Sequence, residues 1–267
     1  MSNLTRYILC FEFLGLEFFG SQKQPDKRTV QGEIEKALCT LTKTKTSIIL
    51  SGRTDAKVSA KFQVAHFDVE VEIENINKFQ YSLNAILPDD IKVFEIRKVK
   101  SSFHAQKDAK FKHYRYTILN DHVASVFNNN YLFYPYSTLN IQRMNKSLNY
   151  LVGYHDFTSF KSQSDNPYND CEIYFAKCQK QIINNRRFVL VDIIGNRFLY
   201  NMVRTIVGEL LFIERNNLLP SKMDEVLKMK NRKYAANVVE AKPLCLEYVG
   251  YEDVENYIEK LIQKEGK

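Results

Sequence analysis

Six consecutive residues, Ser51-Gly52-Arg53-Thr54-Asp55-Ala56, place a carboxylate two positions from a guanidinium and close to two hydroxyls. An arginine beside an aspartate keeps the acid ionised near neutral pH, and a low-dielectric pocket strengthens the pairing. A carboxylate held in that state is what nucleophilic attack without a cofactor requires. The same side chains can also form a local ion pair and a hydrogen-bonded turn with no chemical role. The segment alone leaves both readings open.

Other chemistries find little support. There is no G-x-x-x-x-G-K-[ST] loop and no G-x-G-x-x-G at a strand-helix turn, which argues against ATP or dinucleotide chemistry. No H-x-E occurs with P-C-x-x-C, which disfavours a zinc deaminase. His66, His104, His113, His122 and His155 are far apart, without metal-ligand spacing. Cys10, Cys39, Cys171, Cys178 and Cys245 form no C-x-x-C pair, so neither a zinc site nor a disulfide framework is expected.

The segment must be carried by a scaffold, and hydrophobic periodicity supplies one. Leu4 to Phe13 alternates, with Tyr7, Leu9, Phe11 and Phe13 on one face, and reads as a strand. Val30, Ile34, Ala37, Leu38 and Leu41 fall at helical spacing behind Thr29, a natural N-cap. Short strands follow at Ser47–Leu50 and Gln63–Val69, so the Arg53–Asp55 segment occupies a loop at a sheet end. Ile76, Phe79 and Leu83 predict a helix that Pro88 ends, and Ile91–Val99 predicts another strand. The order is β-α-β-β-α-β.

The second half repeats it. Lys112–Leu119 reads as a strand, followed by an insertion that includes the aromatic-rich Tyr131–Tyr136. Ile141, Met144, Leu148, Leu151 and Val152 make a helical stripe. Ile173–Ile183 and Arg187–Ile194 predict a hairpin around Asn184-Asn185. A long helix has Leu199, Met202, Val203, Ile206, Val207, Leu210 and Leu211 on its apolar face. Ser221-x-x-Asp224 signals a capped short helix, and Leu244–Tyr251 closes the pattern as a strand. The fold class expected is therefore α+β: two ferredoxin-like, split β-α-β halves with antiparallel sheets, residues 1–107 and 108–267. Topology of this kind hosts many functions, so it does not choose among them.

Composition is that of a globular chain, with 45% hydrophobic and 26% charged residues. No apolar run is long enough to span a bilayer. Met1–Cys10 lacks the basic, apolar and small-residue succession of a signal peptide, so a cytoplasmic place and no membrane partner are expected. The formal charge of +7 favours a polyanionic partner, and 16 Tyr and 18 Phe could stack on unpaired bases.

Gly52-Arg53-Thr54-Asp55-Ala56 resembles the G-R-T-D-A signature of the TruA-type tRNA pseudouridine synthase family. The resemblance continues in order from about residue 7 to about residue 250. It takes in Phe19-Gly20-Ser21-Gln22-Lys23-Gln24, Val30-Gln31, Leu83-Asn84-Ala85-Ile86-Leu87-Pro88-Asp89-Asp90-Ile91 and Phe103-His104-Ala105. It goes on through Tyr114-Arg115-Tyr116, Asp156-Phe157-Thr158-Ser159-Phe160 and Phe198-x-x-Asn201-Met202-Val203-Arg204-x-Ile206-Val207-Gly208.

The resemblance implies the pseudouridine synthase fold, a homodimer, no metal or organic cofactor, and conversion of uridine to pseudouridine in the tRNA anticodon stem-loop. It makes Asp55 the essential carboxylate, with Arg53 pairing it and helping the target base leave the stack. Tyr114 becomes the active-site tyrosine, and Arg204 the arginine that pairs with the catalytic aspartate. Gln22, Gln24, Lys57, Asn84, His104 and Asn201 fall on segments expected to meet the RNA. Three places depart from the pattern: Lys57-Val58-Ser59-Ala60 stands where G-V-H-A is usual, Ser21 replaces an aromatic residue, and Gln106 replaces an arginine. These departures keep two alternatives in view, the same chemistry on ribosomal RNA and an RNA-binding protein without turnover.

Overall fold

A computed structural model describes residues 4–128, 130–163 and 167–265. The fold is mixed α+β, and the chain divides into two compact units. The first contains the described residues up to Lys110 together with Leu246–Tyr251; the second contains Phe111–Cys245 and the described residues from Glu252 onward.

The first unit runs β1 (Thr5–Phe13), α1 (Val30–Thr42), β2 (Ile48–Leu50), β3 (Ser59–Val69), α2 (Ile76–Ile86) and β4 (Ile91–Val99). Its antiparallel sheet has the order β4-β1-β3-β2, the split β-α-β arrangement that the periodicities predict. Thr29 caps α1 by accepting the Gly32 N–H, and Asn75 caps α2 by accepting the Lys78 N–H. Val30, Ile34, Ala37 and Leu38 are buried along one stripe of α1. Burial of a side chain such as Ile34 or Leu38 contributes roughly 1.5–3 kcal/mol. As a central strand, β1 also buries Ile8 and Cys10 on its second face, so the simple alternation read for it describes only half of its environment.

The second unit continues with β5 (Phe111–Leu119), β6 (Leu132–Phe133), α3 (Ile141–Asn149), β7 (Gly153–Asp156), β8 (Asp170–Ile183) and β9 (Arg186–Gly195). These are followed by α4 (Met202–Arg215), α5 (Lys222–Met229), β10 (Leu244–Gly250) and α6 (Val254–Glu265). Its sheet runs β5-β9-β8-β7, with β6 added in parallel to β5. The β8–β9 hairpin closes at Ile183↔Arg186 through Asn184 (φ 49°) and Asn185 (φ 59°). Two positive-φ residues in a two-residue loop make the type I′ turn, whose twist matches its strands. From Leu246 on, β10 belongs to the first unit, beside β3.

Three local expectations fail. Helix α3 stops at Asn149, leaving Leu151 buried beyond it and Val152 exposed. Leu199 lies outside α4, because Asn201 takes φ 61° and the helix starts only after it. Ser221 is itself helical and makes no side-chain cap on α5. Strands β6 and β7 are too short to show a period, whereas α6 carries Val254, Tyr257, Ile258, Leu261 and Ile262 at helical spacing, a signal the expected pattern omits. No helix among the described residues is long and apolar enough to cross a membrane.

A buried polar cluster pins the second unit. Asp192 on β9 accepts from Arg115 Nε at 2.7 Å and from the Arg115 terminal nitrogen at 3.0 Å, and its Oδ1 lies 2.7 Å from His113 Nε2. The Tyr257 hydroxyl on α6 lies 2.9 Å from His113 Nδ1. Desolvation pushes the Asp192 carboxyl up, but the hydrogen bonds and charges of His113 and Arg115 outweigh it and hold its pKa below the usual range.

Candidate active site

The loop carrying Asp55 leaves β2 at Leu50 and is braced from two sides. On the strand side, the Ser51 N–H donates to Val64 O at 2.8 Å and the Ser51 hydroxyl donates to Gln63 Oε1. Gln63 Nε2 in turn donates to Gly52 O at 3.1 Å. Gln63 is fully buried, and its amide supports the loop from within β3. Its one signal in the sequence is a polar residue set in the apolar run Phe62-Gln63-Val64-Ala65.

On the other side, residues 15–21 are laced to the loop. Ser21 donates its N–H to Thr54 O (3.1 Å) while its hydroxyl accepts the Thr54 N–H (2.8 Å). Lys57 N–H donates to Phe18 O at 3.2 Å, and Gly15 N–H donates to Ser59 Oγ at 3.0 Å. Two of the three departures from the family pattern, Ser21 and Ser59, therefore hold the Asp55 loop in place. The approach requires glycine at two points: a Cβ on Gly15 would sit 2.1 Å from Val58 O, and Gly20 has φ 97° with Thr54 O 3.0 Å from such an atom.

Within this frame Asp55 is half-buried, and its carbonyl accepts the Val58 N–H at 3.2 Å to close a turn. Arg53 is exposed. The Thr54 hydroxyl is buried with no hydrogen-bond partner among the described residues.

Lys57 adopts φ 68°, a left-handed conformation at the position where glycine is usual. The loop thus keeps the backbone shape at the cost of strain. Lys57→Gly is expected to stabilise the fold by up to about 1 kcal/mol, once the greater freedom of glycine in the unfolded chain is discounted. Thermal unfolding checks this; a lower melting temperature would mean that the lysine side chain contributes more than its backbone loses.

The remaining candidates of the first unit divide. Gln22 and Gln24 are exposed, and Gln24 Nε2 donates to Phe19 O at 2.7 Å. His104 is half-buried; its Nδ1 accepts from the N–H groups of Gln106 (3.2 Å) and Lys107 (3.3 Å), and its ring meets His66. Asn84 Nδ2 donates to Val93 O at 2.7 Å and Oδ1 accepts the Val93 N–H at 2.8 Å. Its amide locks α2 to β4.

In the second unit Tyr114 lies on β5 opposite Ile193, largely buried, with the Phe198 ring edge-on at 5.0 Å. Arg204, in the first turn of α4, donates from Nε to Val239 O at 2.8 Å and from a terminal nitrogen to Asn201 Oδ1 at 2.6 Å. Asn201 Nδ2 donates to Ser162 Oγ at 2.9 Å. Asn201 thus orients the Arg204 guanidinium. An aromatic pair and an oriented guanidinium can hold a flat, polar base.

Comparison with known proteins places this geometry in a family. A family model described as tRNA pseudouridine synthase matches residues 9–108 and 148–252. The chain is 39% identical over 239 residues to tRNA pseudouridine synthase A of Borrelia duttonii (strain Ly), covering 89% of this chain and 96% of that protein. It is 40% identical over 241 residues to tRNA pseudouridine synthase A 1 of Bacillus cereus, covering 89% and 95%. Against tRNA pseudouridine synthase A of Borreliella burgdorferi it is 40% identical over 240 residues, covering 89% and 96%. A solved structure, Crystal Structure of a Cbf5-Nop10-Gar1 Complex, reaches a TM-score of 0.34 at 11% identity, over 90% of this chain and 57% of that chain. That likeness is too slight to argue from. The family match takes in the Asp55 loop and Arg204, and the relatives cover most of the sequence; on that ground the chain belongs to the tRNA pseudouridine synthase family.

Proposed function

We propose that this protein isomerises uridine to pseudouridine in the anticodon stem-loop of tRNA, with Asp55 as the essential carboxylate. The observation that carries the reading is the doubly braced loop, which holds Asp55 half-buried through hydrogen bonds from Ser51, Gln63, Ser21 and Ser59. A nucleophile fixed before the substrate arrives avoids the entropy of finding its geometry during reaction.

The reaction conserves atoms. The glycosidic N1–C1′ bond breaks, the uracil turns, and a C5–C1′ bond forms; the proton leaving C5 is balanced by one gained at N1. Asp55 acts at the ribose or at the base, and no metal or organic cofactor enters the route. Tyr114, backed by Phe198, stacks on the uracil and assists proton transfer. Arg204 supplies a cation oriented by Asn201 and Val239. The exposed Arg53 helps hold the stem-loop open, since extruding a stacked base costs a few kcal/mol. The protein acts as a homodimer in this reading.

Pseudouridine mapping on unmodified tRNA and ribosomal RNA incubated with the purified protein tests the proposal. New pseudouridine in the anticodon arm is the expected result. Product confined to ribosomal RNA would overturn the substrate and keep the chemistry, and RNA binding without product in either RNA would overturn the chemistry.

A further inference from the structure

Two partly buried cations on the strands and helices of the second unit meet a carboxylate. Arg115 is matched to Asp192 and Arg143 to Glu214. Lys112 is not. It lies on β5 opposite Gly195 and is only partly exposed. Among the described residues its ammonium makes no hydrogen bond and no ion pair, and the charge that acts on it is that of Arg197, another cation. Desolvation first, and then Arg197, push the Lys112 pKa down to about 8. Among the described residues the Arg197 guanidinium donates to the Tyr168 carbonyl at 3.3 Å and makes no ion pair.

A desolvated ammonium beside a guanidinium is unfavourable by itself, because removing either from water costs free energy that no opposite charge offsets. The arrangement becomes favourable when an anion takes the place between them. Lysine offers a compact charge with three donors and arginine a planar fork, a pair suited to phosphate oxygens, which only accept. The position is also informative. Lys112 and Tyr114 are alternate residues of one strand, so they share a face about 7 Å apart. That is the scale on which a nucleotide separates its base from its phosphate, and Tyr114 is the proposed stacking partner for the uracil.

We propose that Lys112 and Arg197 form a phosphate subsite that grips one phosphodiester of the bound RNA strand beside the target nucleotide. The nature of the polyanion rests on the function proposed above; the preference for a phosphate rests on the two cations.

A chemical double-mutant cycle tests it. An anticodon stem-loop RNA carries an uncharged methylphosphonate at one phosphate at a time, and binding is read by fluorescence anisotropy. With the native protein, one linkage near the target uridine weakens binding about five- to tenfold. With Lys112→Met that same linkage has no further effect, while Lys112→Arg retains the sensitivity. Lys112→Met also melts at or above the native temperature, since an unmatched charge has been removed. Equal losses at every linkage for native protein and Lys112→Met would overturn the subsite. So would a Lys112→Met protein that melts well below the native one, because the ammonium would then be holding the fold. If the native protein binds no RNA, the functional reading fails alone. Inorganic phosphate then decides the subsite: protection of the Lys112 amine from acetic anhydride, read by mass spectrometry, supports it, and unchanged labelling overturns it.

Discussion

Asp55→Ala is expected to reduce pseudouridine formation by about 10⁴-fold or more while leaving affinity for the RNA within about threefold. The size follows from what the residue does in the proposed route: without the carboxylate the reaction has no covalent or electrostatic path of comparable height. Affinity survives because binding draws on phosphate contacts spread over many basic side chains. The fold survives as well. The loop is held through Ser51, Thr54, Lys57 and Ser59, and Ala keeps the carbonyl that accepts the Val58 N–H. Single-turnover mapping together with anisotropy separates the two quantities. Full turnover in the variant would sink the nucleophile assignment, and parallel loss of product and affinity would make Asp55 a binding or structural residue.

The second large effect is on stability. Asp192→Ala is expected to cost about 3–5 kcal/mol, because it strands the buried His113 ring and the Arg115 guanidinium without their shared acceptor. For a chain of this size that lowers the melting temperature by roughly 6–20 °C. The sign of the pH dependence follows from the depressed Asp192 pKa. Between the folded pKa and the ordinary aspartate value near 3.9, the unfolded chain binds more protons than the folded one. The contribution is therefore complete above that ordinary value and is lost as pH falls through the folded pKa. Urea unfolding at neutral and acid pH checks this: the native protein loses stability on the acid side, and Asp192→Ala shows a flatter profile from a lower start. A variant as stable as the native protein at neutral pH would show that the cluster contributes nothing net.

Much of the scaffold is legible because its causes are local. Thr29 and the apolar stripe behind it define α1, and Asn184-Asn185 between two apolar runs defines a type I′ hairpin. In each case a few adjacent residues contain both the pattern and the physical reason. The local signals that failed did so where the surroundings overrode them. Leu151 continues the helical period but is buried after α3 has ended, and Ser221 takes helical dihedrals just before α5 without capping it.

For the site, the sequence alone determined that Asp55 stands in a loop between two short strands, within a motif series characteristic of one family. It could not say what holds that loop. Ser21 and Thr54 lie 33 residues apart, and Gly15 and Ser59 lie 44 apart, yet each pair is joined by a hydrogen bond. Gln63 reads as one more strand residue until its amide is seen bonded to Ser51 and Gly52. The bonds of Asn84 to Val93 and of Asn201 to Arg204 are likewise absent from any local pattern. Residue type and spacing reveal which groups can do chemistry, because reactivity belongs to the side chain. Which groups are free to do it depends on hydrogen bonds closed across the fold, and those exist only once the chain has folded.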